Sequence, residues 1–204
     1  ASFLDSLFTA TSAVCVTGLI VQDTATYWSV FGQCVILALI QIGGIGIVTL
    51  TVSAATISGR KIGLMQRSAM QQSVSAHNIG GIVRFTKLII KITVLTELTG
   101  AVLLMPFFCR DFDFPKGIWL SVFHSVSAFC NAGFDLMGEK EPFSSLTAYS
   151  SQPFVNFILM ALIVVGGIGF LTWDDIGKNK LGFRKYRMQS KVILTVTAFL
   201  IVVP

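Results

Sequence analysis

The chain has 204 residues, of which 53% are hydrophobic and only 12% are charged, and its formal net charge is +5. Soluble domains average roughly 25% charged residues, so the composition excludes an ordinary soluble enzyme and indicates a membrane protein. No basic stretch alternates with aromatic residues, which excludes a nucleic-acid-binding protein. The four cysteines form no CxxC pair, so no zinc site is predicted.

The chain opens with an apolar segment, Phe3 to Ala10, that is too short to cross a bilayer, which needs about twenty residues. It predicts a half-helix that enters the membrane and stops. The loop that follows, Thr11 to Asp23, is rich in Thr, Ser and Gly. Irregular backbone at membrane depth survives only where protein buries it or water lines it. The segment therefore predicts a pore or a vestibule.

The first predicted span runs from Tyr27 to about Ala55 and is apolar and uncharged. Inside it, Gly43, Gly44 and Gly46 would each cost up to ~1 kcal/mol relative to Ala in a helix. Close contact with a neighbouring helix or with the pore loop would offset that cost. Generic packing of membrane helices is the alternative explanation.

Ser58 to Arg84 is basic, contains no acid, and predicts a cytoplasmic connection. Phe85 to Phe108 is the second predicted span, with Glu97 near its middle. A charge at that depth costs about 2.5 to 3.5 kcal/mol even on a lenient scale, so a protein-facing partner is expected. We favour a hydrogen bond that orients a neighbouring helix or the pore loop over direct contact with an ion.

The second half of the chain repeats this order. A half-helix at Lys116 to Ala128 precedes a glycine loop at Phe129 to Phe134 and a third predicted span at Phe154 to Trp173. A basic connection, Gly177 to Lys191, then leads to Val192 to Pro204, which predicts the start of a fourth span.

Two stretches, 6–18 and 121–133, share the pattern S-x-F-x-x-x-S-A-x-C-x-x-G without a gap. Each is followed by Gly-Gly-Ile-Gly, at 43–46 and again at 166–169. A repeat of this size indicates one structural module used twice. We call these the first and the second module, each consisting of a half-helix, a glycine loop and a membrane helix.

Basic residues set the predicted orientation. Twelve of the fifteen lie in 60–91 and 178–191, which makes that side cytoplasmic. Both glycine loops then face outward, where Asp23 and Asp135 form an acidic mouth that raises the local cation concentration.

The glycine loops predict a cation filter. A crossing cation must exchange its water for other oxygens, and an extended chain that turns at glycine can supply backbone carbonyls. The partially negative C-terminal ends of the half-helices favour a cation there. No loop side chain is charged, which suits a monovalent ion better than a divalent one. The predicted coordinating residues are Val16, Thr17, Gly18, Asn131, Ala132 and Gly133, with Ser12, Cys15, Ser127 and Cys130 as supports from behind.

The stretches TSAVCVTGL, IQIGGIGIVTL, SVSAFCNAGFD and VVGGIGF together resemble the Trk/Ktr/HKT superfamily of potassium transporters, and most closely the bacterial Ktr-type membrane subunit. The resemblance implies an all-α protein of the bacterial inner membrane, with four tandem membrane–pore–membrane repeats around one pore. K⁺ is then the transported ion, Na⁺ coupling is left open, and no bound cofactor is implied. The implied divisions are the end of repeat one (1–57), a connection (58–84), repeat two (85–175), a second connection (176–191) and the truncated start of repeat three (192–204).

The resemblance also implies a homodimer of the full-length subunit and a cytosolic nucleotide-binding RCK subunit, with the two basic connections as its docking surface. Two other functions stay open at this stage. A membrane-embedded enzyme would use Cys15 and Cys130 as thiols, although only His124 is a nearby base and a half-helix C-terminus disfavours a thiolate. A non-conducting structural subunit would leave two polar loops without a purpose.

Overall fold

The structure is a computed structural model, and it describes residues 2–46, 49, 65, 82–139, 141–180 and 182–203. All of its described regular elements are helices. The chain divides into two compact units, one made of Ala1–Gly46 with Thr93–Gly166 and the other of Ile47–Ile92 with Gly167–Pro204.

The first unit begins with three helices. Helix α1 spans Phe3–Val14 and starts at Ser2, whose side chain accepts a hydrogen bond from the Asp5 amide. The half-helix is thus one turn longer than predicted. Helix α2 is a single turn, Thr24–Tyr27, and helix α3 spans Val30–Ile45.

Helix α4, Ile82–Asp111, is the longest helix described. Within its segment Arg84–Asp111, an 18-residue window has a mean hydropathy of 1.9, and the segment is long enough to cross a membrane. Helix α5 spans Phe114–Phe129, with a proline in its first turn where no backbone N–H is needed. A 3₁₀ turn at Ser145–Tyr149 then leads to helix α6, Pro153–Gly167.

Packing in the first unit buries apolar side chains from α3, α4, α5 and α6. The core includes Ile40, Leu104, Phe108, Phe123 and Val155, all fully buried. Other faces of these helices leave large apolar side chains exposed, among them Phe31, Leu95, Val102, Phe154 and Phe157. Helices that are apolar on all faces suit a bilayer, because lipid chains contact the apolar side chains that would be unfavourable in water.

Two predicted spans are broken. Helix α3 stops at Ile45 and α6 stops at Gly167, and the nearby Gly46 and Gly169 both have φ of 85°. Side chains of L-residues disfavour that conformation. The expectation that the Gly-Gly-Ile-Gly runs lie inside continuous helices is therefore wrong. By length and composition, α6 and the helix after it pass as a membrane span only when the two are counted together.

The second unit contains α7, Phe170–Asn179, a 3₁₀ turn at Phe183–Lys185, and α8, Met188–Val202. Buried Asp175 accepts hydrogen bonds from the Arg187 amide and from the Ser190 hydroxyl at 2.6 Å, which fixes the start of α8. Of the predicted connection 58–84, all but Met65 and residues 82–84 lies outside the described residues.

Candidate functional site

The two glycine loops have matching φ angles at equivalent positions. The loops, residues 15–18 and 130–133, follow the last residues of α1 and α5. Their φ angles are 55° at Val16 and 73° at Gly18 in the first, and 56° at Asn131 and 74° at Gly133 in the second. The predicted positive φ of both glycines is confirmed. Val16 is β-branched, so its positive φ is strained and must be held by the surrounding structure.

Hydrogen bonds hold the two loops in the same way. The Thr17 amide donates to the Ser12 carbonyl at 3.0 Å, and the Ala132 amide donates to the Ser127 carbonyl at 2.8 Å. In a trans peptide the C=O points opposite to the N–H. Because these N–H groups point back toward their own helices, the carbonyls of Val16 and Asn131 point away from them.

The two loops lie against each other. A Cβ atom on Gly18 would stand 2.5 Å from the Ala132 carbonyl oxygen and 3.3 Å from the Gly133 Cα. A Cβ on Gly133 would stand 3.6 Å from the Gly18 Cα. The structure therefore brings together the two glycines that the repeat singles out.

Serine side chains brace each loop from its own helix. The Ser12 and Thr17 hydroxyls are 2.8 Å apart and share a hydrogen bond. The Ser127 hydroxyl donates to the Phe134 carbonyl at 2.6 Å. The other two predicted supports differ, since Cys15 is exposed while Cys130 is buried.

Glycines of the membrane helices contact the half-helix ends. A Cβ on Gly43 would collide with the carbonyl oxygen of Val14, the last residue of α1. A Cβ on Gly166 would collide with the carbonyl oxygen of Phe129, the last residue of α5. In both modules, the last residue of the half-helix therefore contacts the first glycine of the Gly-Gly-Ile-Gly run. Of the three glycines in the first run, Gly43 and Gly44 make the expected close contacts, whereas Gly46 has nothing within 4 Å and instead ends α3.

Glu97 has the protein-facing partner expected of it. It is 8% exposed, and it accepts a hydrogen bond from Gln41 Nε2 at 2.9 Å. The Cys130 sulfur lies 3.6 Å from Gln41 Oε1 and 3.9 Å from Glu97 Oε1. The carboxyl group therefore joins α3 and α4 directly behind the second glycine loop, which is the orienting arrangement that the sequence favours.

The two acids predicted at the mouth have different surroundings. Asp135 is partly exposed, and it lines a cavity of about 280 Å³ together with His124, Asn131 and Gly133. Asp23 is only 6% exposed, and its oxygens accept hydrogen bonds from protein groups. Its place at an open mouth stays a prediction, and the structure gives it a second, internal role.

His124 connects α5 to the segment after the second glycine loop. Its Nδ1 hydrogen-bonds the Leu120 carbonyl at 2.7 Å, and its Nε2 accepts from the Leu136 amide at 3.3 Å. The ring is 2% exposed, so His124 is a packed interior residue. The contact with Leu136 was not predictable, because the equivalent residue in the first module is Thr9.

Among the residues that the structure describes, no three His, Cys, Asp or Glu side chains converge as metal ligands. That backbone carbonyls of the two glycine loops coordinate a cation stays a prediction.

Comparison with known proteins gives one family over most of the chain. Residues 1–200 match the family described as "TrkH: Cation transport protein". The chain is 40% identical over 200 residues to the "Potassium/sodium uptake protein NtpJ" of Enterococcus hirae, covering 98% of this chain and 43% of the relative. It is also 40% identical over 199 residues to the "Ktr system potassium uptake protein B" of Bacillus subtilis, with the same coverage. The protein of that name from Vibrio alginolyticus is 32% identical over 203 residues, covering 99% of this chain and 44% of the relative. The chain thus spans less than half the length of these relatives.

Proposed function

This chain belongs to the TrkH family of cation transport proteins, and on that basis we propose that it is part of a protein that takes up K⁺ across the cell membrane through a filter of backbone carbonyls. The observation that carries the proposal is the contact between two equivalent glycine loops, made at Gly18 and Gly133. Two turns with matching φ angles that meet at their glycines form, in this proposal, part of a ring of oxygens.

In the proposed filter, the carbonyls of residues 16–18 and 131–133 replace water around the ion. The N–H groups of Thr17 and Ala132 are occupied by their own helices, so the loops offer acceptors to the ion. Helices α1 and α5 end at the loops, and the partial negative charge at each C-terminus adds to the attraction for a cation.

The membrane arrangement is part of the same proposal. Helices α1 and α5 are re-entrant half-helices, the loops face outward, and the basic connections are cytoplasmic in a bacterial inner membrane. The divisions at 57, 84, 175 and 191 separate the end of one repeat, a complete repeat and the start of another. Repeats beyond these two complete the pore in the full-length parent.

A membrane potential can drive this uptake. It is worth about 2.3 kcal/mol per unit charge per 100 mV. Because ~1.4 kcal/mol is a factor of ten, ~100 mV supports accumulation of roughly forty- to fifty-fold. Sodium coupling is an extension of the proposal for steeper gradients, and one similar protein is named for both potassium and sodium.

Partners follow from the resemblance to Ktr-type subunits. We expect a homodimer of the full-length subunit and a cytosolic nucleotide-binding RCK subunit on the basic connections. Within the described part of 177–191, Lys180, Arg184 and Lys185 are exposed and make no ion pair with another described residue. They are available to an acidic partner surface.

The alternative function, a membrane-embedded enzyme that uses Cys15 and Cys130 as thiols, is not supported. The family and the relatives named above are transport proteins rather than enzymes. Both ring nitrogens of His124 contact backbone groups, so neither is left to act as a base for Cys130. A non-conducting structural subunit leaves the matched loops unexplained.

The test is uptake of K⁺ or Rb⁺ by a strain that lacks its own potassium uptake and expresses the full-length parent. We expect growth at low K⁺ and saturable uptake. No rescue, despite confirmed insertion in the membrane, would reject the proposal.

A further inference from the structure

Asp23 and Gly138 occupy the same position in the two modules, since each lies five residues after its filter glycine. In the structure they meet, and a Cβ on Gly138 would collide with the Asp23 carboxylate. The modules therefore touch at two pairs of equivalent positions, Gly18 with Gly133 and Asp23 with Gly138. One copy carries a carboxylate where the other carries no side chain.

The Asp23 carboxylate uses both of its oxygens. Oδ2 accepts hydrogen bonds from the Thr26 amide at 2.9 Å and from the Thr26 hydroxyl at 2.8 Å. Oδ1 accepts from the Phe143 amide at 3.1 Å, across 120 residues of sequence. Hydrogen bonds to an ionised acceptor are stronger than neutral ones. One buried group in the first module therefore packs against Gly138 and binds the Phe143 amide in the second.

The segment between this contact and the second filter glycine is tied to α5 at two points. The Phe134 carbonyl accepts a hydrogen bond from Ser127, and the Leu136 amide donates to His124. The Met137 amide donates to Asp135 within the segment itself. We therefore expect a displacement at Gly138 to reach Gly133 rather than to be absorbed by a flexible linker.

We propose that Asp23 is a positioning residue for the second filter loop, which sets the placement of Gly133 relative to Gly18 and thereby the affinity and selectivity for K⁺. This inference rests on the proposed function. Asp23 acts through its contacts with Gly138 and Phe143 and does not itself touch the ion. Its loss changes ion binding more than it changes the number of inserted transporters.

The experiment uses the full-length parent in the uptake assay, with rates normalised to protein in the membrane. Asp23→Ala removes the carboxylate and Gly138→Ala displaces it, so both should raise the KM for K⁺ by about tenfold and lower the preference for K⁺ over Na⁺. Asp23→Asn keeps one acceptor oxygen and should lie between them and the parent. The double variant Asp23→Ala/Gly138→Ala should be no worse than Asp23→Ala, because the new methyl group occupies the vacated space.

Asp113→Ala is the matched control. Asp113 is exposed and makes no side-chain cap hydrogen bond, so the same charge is lost without loss of a contact. Its KM should stay within about twofold of the parent.

Unchanged KM and selectivity in inserted Asp23→Ala and Gly138→Ala proteins would overturn the inference, as would fully additive effects in the double variant. If Asp23→Ala does not insert, Gly138→Ala and Asp23→Asn decide by the same criterion. A parent that shows no uptake at all rejects the proposed function, and the inference with it.

Discussion

Gln41 on α3 donates a 2.9 Å hydrogen bond to Glu97 on α4, and the two side chains come from positions 56 residues apart. Glu97 is buried within the segment that is apolar enough to span a membrane. Polar groups at such depth are retained where they have protein partners. The pair lies beside the Cys130 sulfur, so it ties two membrane helices to the end of a half-helix.

Replacement of Glu97 by Leu should destabilise the full-length parent by about 1–3 kcal/mol, because the Gln41 amide loses its buried partner. Glu97→Gln keeps an acceptor oxygen and should cost less. Thermal unfolding of the purified protein in detergent measures both. Leu98→Ala, on an exposed face of the same helix, is the control and should cost little. A Leu variant as stable as the Gln variant would contradict the orienting role.

Alanine at the two filter glycines should have unequal effects. Both substitutions force a positive φ on an L-residue, which costs about 1–2 kcal/mol. Only Gly18→Ala also places its methyl group 2.5 Å from a backbone oxygen, whereas that of Gly133→Ala meets nothing nearer than 3.6 Å. Competition of Na⁺ with Rb⁺ uptake should therefore show a larger loss of K⁺ preference for Gly18→Ala. Equal effects would mean that backbone strain alone decides selectivity.

Gly43 and Gly44 give a test of which atoms the membrane helix contacts. Gly44→Ala collides with the Cys130 side chain, and Gly43→Ala collides with the Val14 backbone carbonyl. Both should reduce uptake. Addition of Cys130→Ala should partly restore the Gly44→Ala protein, because it removes the sulfur, and should leave the Gly43→Ala protein impaired. Equal restoration of both would show that the two contacts are not specific.

The double variant Cys15→Ala/Cys130→Ala should keep most of its K⁺ uptake. Removal of the buried Cys130 sulfur leaves a small cavity that costs about 1 kcal/mol, and exposed Cys15 costs less. Uptake and membrane abundance are measured together, so that a loss of protein is not taken for a loss of function. Abolished uptake at normal abundance would restore the case for a thiol-dependent step.

Local features of the sequence were enough to predict the modules. The repeated motif gave the half-helices, the glycine loops and the positive φ of Gly18 and Gly133, because these depend on residues close together in the chain. The ends of α3 and α6 were not predicted. The sequence does not show whether a glycine lies inside a helix or at its end. The positive φ angles of Gly46 and Gly169 in the structure show that the helix is interrupted there.

Long-range partners explain the remaining differences. The position of Glu97 near the middle of a predicted span was enough to predict that it has a protein partner. It was not enough to identify Gln41 as that partner. Asp23 was predicted from its charge to face the pore mouth. Its burial depends on the missing side chain of Gly138 and on the Phe143 amide, which only the fold brings near.

Gly46 and Gly169 each have φ of 85°, and a Cβ atom built on either meets nothing within 4 Å. The backbone conformation, not a lack of space, is therefore what keeps other residues out of these two positions. With ψ of 134° at Gly46 and 145° at Gly169, both lie close to a region of φ and ψ that only glycine adopts readily. An alanine of either hand, introduced by chemical ligation, would oppose this conformation even though nothing nearby blocks its methyl group.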